Sequence, residues 1–187
     1  AYEPGRLMGT FAEDCAEKYQ FTREAQDNYA LTSLENSLSA QKSGAFENEI
    51  KAIEVIDRKG IKRFIGLDEQ PQNAQPDKIP NLKPAFRANG TVTAANSSSI
   101  SDGGAALILA SKIHAENEGL PKRARIMGHS SYAHAPGLFT TAPIYAVKKL
   151  LKSINWSIEM VDLWEVNEAF AVVPMAFMQE LDVSRKK

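Results

Sequence analysis

The chain has 187 residues, 43% of them hydrophobic and 24% charged, with a formal net charge of −1 at pH 7. That length buries a sizeable core, as one large domain or two small ones, and the composition excludes disordered and fibrous classes. Acidic and basic residues are interleaved, which removes the electrostatic case for nucleic acid or an anionic membrane as the main partner.

In chain order, Thr10 and Glu13 have the T-x-x-E spacing of a capping box, which predicts a short helix from Phe11 to about Tyr19. A longer helix follows from Thr22, with Ala25, Tyr29, Leu34 and Leu38 on one side and Gly44 as its stop. IKAIEVI (50–56) and IKRFI (61–65) are strand-like runs around Asp57-Arg58-Lys59-Gly60, the pattern of a hairpin. The proline- and amide-rich stretch 66–84 is expected to cross a surface, anchored by Ile79 and Leu82. Small residues from Thr91 to Ser101 imply a backbone lying close to something, and AALILA (105–110) has the length and apolarity of a buried strand.

After a helix ending near Gly119 the rhythm becomes strand, helix, strand, helix. ARIMGH (124–129) and MVDLWEV (160–166) are the expected strands. Ile144, Val147, Leu151 and Ile154 mark an amphipathic helix that Pro143 begins well, and Phe170, Val173, Phe177 and Leu181 mark another. This predicts an α/β fold with a mainly parallel sheet, in which ligands gather where strand ends meet helix starts. One such junction is LWEVNEAF (163–170), where Asn167 fits a helix N-cap and Glu168 the first helical position, favoured by the helix dipole. Pro174 then falls two turns inside the helix, where it should deprive the Phe170 carbonyl of its partner and kink it.

No apolar run approaches the ~18 residues of a membrane span, and AYEPGRLMGT lacks a basic region followed by an apolar stretch, so no leader is expected. The lone Cys15 allows no intrachain disulfide, which suits a reducing compartment, and its acidic neighbours disfavour a thiolate. His114, His129 and His134 show no metal-ligand spacing, so no metal is expected.

Five blocks then carry a resemblance. WEVNEAFA (164–171) resembles the NEAF signature of the thiolases, and GTVTAANSSSISDGGAALILAS (90–111) resembles their G-T-V-T-A-[GA]-N segment. MGTFAEDCAEKYQFTREAQDNYALTS (8–33) resembles the M-G-x-x-A-E block followed by an R-E-x-Q-D helix, and LKPAF (82–86) and FTTAPIYAVKKLL (139–151) complete the series in family order. The resemblance is strongest to the acetyl-transferring, acetoacetyl-CoA branch. It implies a partial thiolase fold of αβαβα type: a loop (lid) domain over 1–100, the last strand and helix of the N-terminal half over 101–120, and the start of the C-terminal half over 121–187.

The activity implied is acyl-CoA C-acyltransfer, the Claisen condensation of two acetyl-CoA to acetoacetyl-CoA and its reverse thiolysis, with the coenzyme A thioester as substrate and no cofactor. The alternatives are a longer-chain 3-ketoacyl-CoA thiolase and an inactive acyl-CoA or lipid-binding relative. The family's nucleophilic cysteine, its G-H-P histidine and its second cysteine have no counterpart in these residues, so they are not expected to turn over substrate by themselves.

By the same resemblance, Asn167 holds the water of an oxyanion hole. Phe170 lines the pantetheine channel, Met8 lies near the thioester, Ser98 contacts pantetheine, and Ala94 and Ser97 supply close backbone approach. Phe86 is expected near the adenine end and Phe139 at the acyl pocket, while Glu168 supports the site by hydrogen bonding or simply serves the helix dipole. Leu7, the serines 97–99, and Gln70 and Gln72 depart from the family pattern, the glutamines implying weaker phosphate contacts. A dimer or tetramer and a cytoplasmic location, with mitochondria left open, complete the expectations, along with poor solubility or a tightly associated form for these residues alone.

Overall fold

The computed structural model of the chain describes residues 3–187. Its elements in order are α1 (Met8–Tyr19), α2 (Arg23–Ser43), β1 (Ile53–Ile56), β2 (Lys62–Ile65), α3 (Glu69–Asn73), α4 (Lys112–Asn117), α5 (Ala142–Ile154) and α6 (Val172–Leu181). Tight 3₁₀ turns cover Pro76–Asn81, Pro136–Thr141 and Ile158–Met160.

Helix α6 sits at the centre because it is apolar almost all round, burying Val172, Val173, Pro174, Ala176, Phe177 and Leu181. It packs against α1, α5 and the Pro136–Thr141 turn. α1 contributes Ala12, Cys15 and Ala16 to the shared core, α5 contributes Ile144, and Val92 and Phe170 fill the remaining side. α5 begins, as expected, at Ala142 with Pro143 in its first turn.

α2 follows its local signals closely. The Thr22 hydroxyl accepts from the Ala25 N–H at 3.1 Å, and Gly44, at φ 70°, returns its N–H to the Ala40 and Gln41 carbonyls. Its buried side chains are polar, however: Gln26 and Asp27 rather than the half-buried Tyr29, Leu34 and Leu38. The hairpin forms antiparallel, Ile53 opposite Ile65 and Ile56 opposite Lys62, around an Asp57 carboxylate that accepts from the Lys59 and Ile61 N–H groups. Those two bonds hold the carboxyl below the usual carboxylate range. The stretch beyond it stays at the surface, Ile79 buried and Leu82 half-buried.

Four expectations are corrected. Thr10 lies inside α1, its hydroxyl donating to the Leu7 carbonyl, and Glu13 turns inward instead of closing a capping box. α6 starts at Val172, so Asn167 is not its cap, Glu168 is not on its first turn, and Phe170 precedes it. Pro174 therefore falls in the first turn, where a missing N–H costs nothing, and the Phe170 carbonyl accepts from the Val173 N–H at 3.0 Å.

The fourth concerns the sheet. Among the described residues the hairpin is the only sheet, and the runs 105–110, 124–129 and 160–166 lie in no hydrogen-bonded strand. Leu107, Ile108 and Leu163 are 89%, 94% and 79% exposed, because no strand of the described chain lies beside them. No helix of the described residues is long and apolar enough to cross a membrane.

Candidate functional site

The segment Thr91–Ser99 is held from below by buried polar groups on α1 and α2. The Glu13 carboxylate, 3% exposed, accepts from the backbone N–H groups of Thr91 and Val92 and from the Thr91 hydroxyl. Gln26 donates to the Thr91 hydroxyl at 2.8 Å. Asn96 accepts from the Thr93 N–H and donates to Asp27 at 3.1 Å, and Asp27 pairs with Arg23 at 2.6 Å. The far side of the Arg23 guanidinium donates to the Ile79 carbonyl, tying the Pro76–Asn81 turn to α2.

From above, the loop before α6 meets the same segment. Ser98 N–H donates to the Ala169 carbonyl at 3.0 Å and Ala171 N–H to the Asn96 carbonyl at 2.9 Å, so Ser97 and Phe170 face each other in a short antiparallel bridge. Small side chains are what this approach requires, and they leave open space alongside. A groove of about 520 Å³ runs between α2, the Gln70–Leu82 stretch and Ala94–Ser99, with Ala94, Ser97 and Lys78 on its walls. A second hollow of about 310 Å³ continues from it past Ser33, Ser97 and Ser98 to Glu168. Asn167 lines a third, of about 680 Å³, which shares Tyr29 and Glu168 with the second.

The expected site residues fall into groups. Ala94 and Ser97 line the groove, Ser98 lines the hollow beside it, and Asn167 lies beyond Glu168, exposed at its own cavity. Phe86, Phe139 and Phe170 form an aromatic cluster, with Phe170 edge-on to Phe86 at 6.0 Å and tilted against Phe139 at 6.3 Å. Phe86 also lies over Gly9, where an added Cβ would come within 2.2 Å of its ring, so it packs onto the core cluster as a structural residue does. Met8 stands at the start of α1, exposed. Gln72 is engaged with Gln41 at 2.6 Å, while Gln70 faces the groove.

Glu168 resolves in favour of hydrogen bonding: its two oxygens accept from the Tyr29 and Ser33 hydroxyls on α2. The roles of Glu13, Asp27, Asn96 and Ser33 were not anticipated, although Gln26 and Asp27 belong to the R-E-x-Q-D block and Asn96 to the G-T-V-T-A block. A polar pair at consecutive positions facing the core of α2 was the available signal.

Cys15 is a core residue. Burial raises its thiol above the ordinary value, with a hydrogen bond from Thr140 opposing that shift only in part. A raised pKa keeps the neutral thiol through neutral pH, so Cys15 is expected to resist Ellman's reagent at pH 8 in the native protein and to react on denaturation. Fast labelling of the native protein would contradict this. Among the described residues no cluster of His, Cys, Asp and Glu is arranged to hold a metal.

Comparison with known proteins gives one result throughout. Residues 2–113 match the thiolase N-terminal domain and residues 120–187 the thiolase C-terminal domain. A probable acetyl-CoA acetyltransferase of Dictyostelium discoideum is 46% identical over 183 residues, covering 98% of this chain and 44% of that protein. The crystal structure of the Bacillus anthracis acetyl-CoA acetyltransferase superimposes with a TM-score of 0.92 at 40% identity, covering 97% of this chain and 46% of its own. An Ascaris suum thiolase in complex with coenzyme A gives a TM-score of 0.89 at 38% identity, covering 96% of this chain and 46% of its own. The chain thus spans less than half the length of these relatives. With both domain matches and a shared partial α/β architecture, it belongs to the thiolase family.

Proposed function

We propose that these residues form the middle of an acyl-CoA C-acyltransferase that joins two acetyl-CoA molecules into acetoacetyl-CoA and catalyses the reverse thiolysis. The observation that carries this reading is the groove walled by Ala94 and Ser97 and bridged, through Phe170 and Ala169, to the loop bearing Asn167. Its walls combine small apolar side chains with hydroxyls and backbone, which suits a narrow, neutral, amide-bearing chain such as pantetheine. The exposed ammonium of Lys78 at the same groove suits a phosphate. Relatives named acetyl-CoA acetyltransferases and a neighbour that holds coenzyme A support the substrate class.

In the reaction, a cysteine thiol supplied outside these residues displaces coenzyme A from the first acetyl-CoA. The second acetyl-CoA loses a methyl proton to a base, its carbanion attacks the acyl-cysteine carbonyl, and the cysteine sulfur leaves. The carbanion's charge spreads onto its thioester oxygen. Asn167 serves there by orienting a water that donates to that oxygen, stabilising charge without adding any of its own. Phe139, against Phe170, sets the space left for the acyl group. The hairpin's exposed Ile56 and Phe64, which share one face of the ribbon, offer that enzyme a surface for self-association.

In the full-length enzyme, Asn167→Ala is expected to lower kcat for acetoacetyl-CoA thiolysis about 100-fold, with KM for coenzyme A nearly unchanged. Wild-type turnover in that variant would remove Asn167 from the mechanism. Complete absence of thiolysis in the unmodified enzyme would leave only an acyl-CoA-binding relative.

A further inference from the structure

Among the described residues the Asn167 loop is tied by backbone bonds at its two ends. Upstream, Trp164 N–H donates to the Lys187 carbonyl at 2.8 Å, and downstream the Ala169 carbonyl accepts from Ser98. Between them, among the described residues, Glu165–Glu168 make no backbone hydrogen bond, and no helix starts until Val172. An amide that must orient a water needs firm placement, since small misplacements of a positioned group cost rate steeply.

The side chain next to Asn167 supplies a further anchor. Glu168 Oε1 accepts from the Tyr29 hydroxyl at 2.7 Å and Oε2 from the Ser33 hydroxyl at 2.6 Å. Both are short, charge-assisted bonds, and they engage both oxygens at once, fixing the carboxylate in orientation as well as position. Tyr29 and Ser33 are four residues apart, one turn of α2, so the pair forms a rigid two-point receptor. Tyr29 is itself held. The Arg185 guanidinium lies 3.9 Å from its ring centroid and donates to its carbonyl at 2.7 Å. Burial, and then the bond to Glu168, push the phenol well above its ordinary value, so it remains a donor at neutral pH.

We infer that Tyr29 and Ser33, acting through the Glu168 carboxylate, are positioning residues that hold Asn167 in its working orientation. This rests on the role proposed above for Asn167. The latch couples α2, which walls the groove, to the loop that carries the water-orienting amide, so the groove and the catalytic amide keep a constant relation.

The test is steady-state thiolysis by the full-length enzyme, with melting temperature followed in parallel. Glu168→Ala is expected to lower kcat about 10- to 100-fold with little change in KM. Tyr29→Phe combined with Ser33→Ala should reproduce that loss, and Glu168→Gln, which keeps acceptor capacity, should recover part of it. In an Asn167→Ala background, Glu168→Ala should lower kcat no further, because the group it positions is gone. A full additional loss in that background, or wild-type kcat for Glu168→Ala while Asn167→Ala is impaired, overturns the latch and leaves the proposed function standing. Wild-type kcat for Asn167→Ala overturns both. If Glu168→Ala fails to fold, the single Tyr29→Phe and Ser33→Ala variants, each losing one hydroxyl, decide by the same split between kcat and KM.

Discussion

Glu13→Ala is expected to destabilise the protein by about 3 kcal/mol, because it leaves the Thr91 and Val92 N–H groups without the carboxylate they share. Val92 is fully buried, so water cannot replace the lost acceptor cheaply. Gly90, the residue just before, explains why no other group fills the space. A Cβ there would come within 2.1 Å of the Glu13 carboxylate oxygen, so the turn is built around that side chain. Glu13→Gln keeps one acceptor oxygen and should lose about half as much. Urea unfolding checks both values, and a loss under about 1 kcal/mol for Glu13→Ala would show that the Thr91 turn relaxes to find new partners.

Phe170→Ala should cost about 3 to 5 kcal/mol and also abolish most activity. The side chain is buried beneath Phe86 and Phe139, and its backbone is the bridge to Ser97. The proposed channel-lining role and the observed core role therefore fall on one residue, and the conservative variant separates them. Phe170→Leu keeps most of the buried volume and should cost under about 1.5 kcal/mol. It loses the ring contacts with Phe86 and Phe139 that fix the aromatic cluster. A fall in kcat/KM much larger than that stability loss would locate the ring at the substrate channel. Parallel losses would make it a core residue that happens to stand beside the site.

These two residues also show which features the sequence made legible. Local signals held: the Thr22 cap, the Gly44 stop, the Asp57–Gly60 turn and Pro143 each act within a few residues and appear where expected. Features that depend on distant partners were harder to read. Glu13 had the spacing of a capping box, yet two N–H groups 78 and 79 positions away, the second fully buried, outcompete the local cap. Asn167 and Glu168 resembled a helix start by composition, but Pro174 was the better marker, since proline is at home in a first turn and disruptive two turns in. The apolar runs were identifiable as strand candidates, whereas strand pairing is a property of neighbours and cannot be read from a run alone. Within the candidate site, family motifs nominate Asn167, Ser97 and Phe170, while the hydrogen bonds of Glu168 depend on Tyr29 and Ser33, more than 130 positions earlier.

The polar network under Thr91–Asn96 has a consequence for the order of assembly. Helices α1 and α2 carry Glu13, Gln26 and Asp27 on the sides they bury, and the groups that satisfy them lie 65 to 79 positions further on. During synthesis both helices are complete while these side chains still face water, and closing the intervening loop costs entropy before any bond repays it. Contacts of such long separation slow folding. The segment between them, hairpin included, is thus free to form early by local rules. The groove can close only after Thr91–Asn96 arrives, and its latch only once Glu168 has followed.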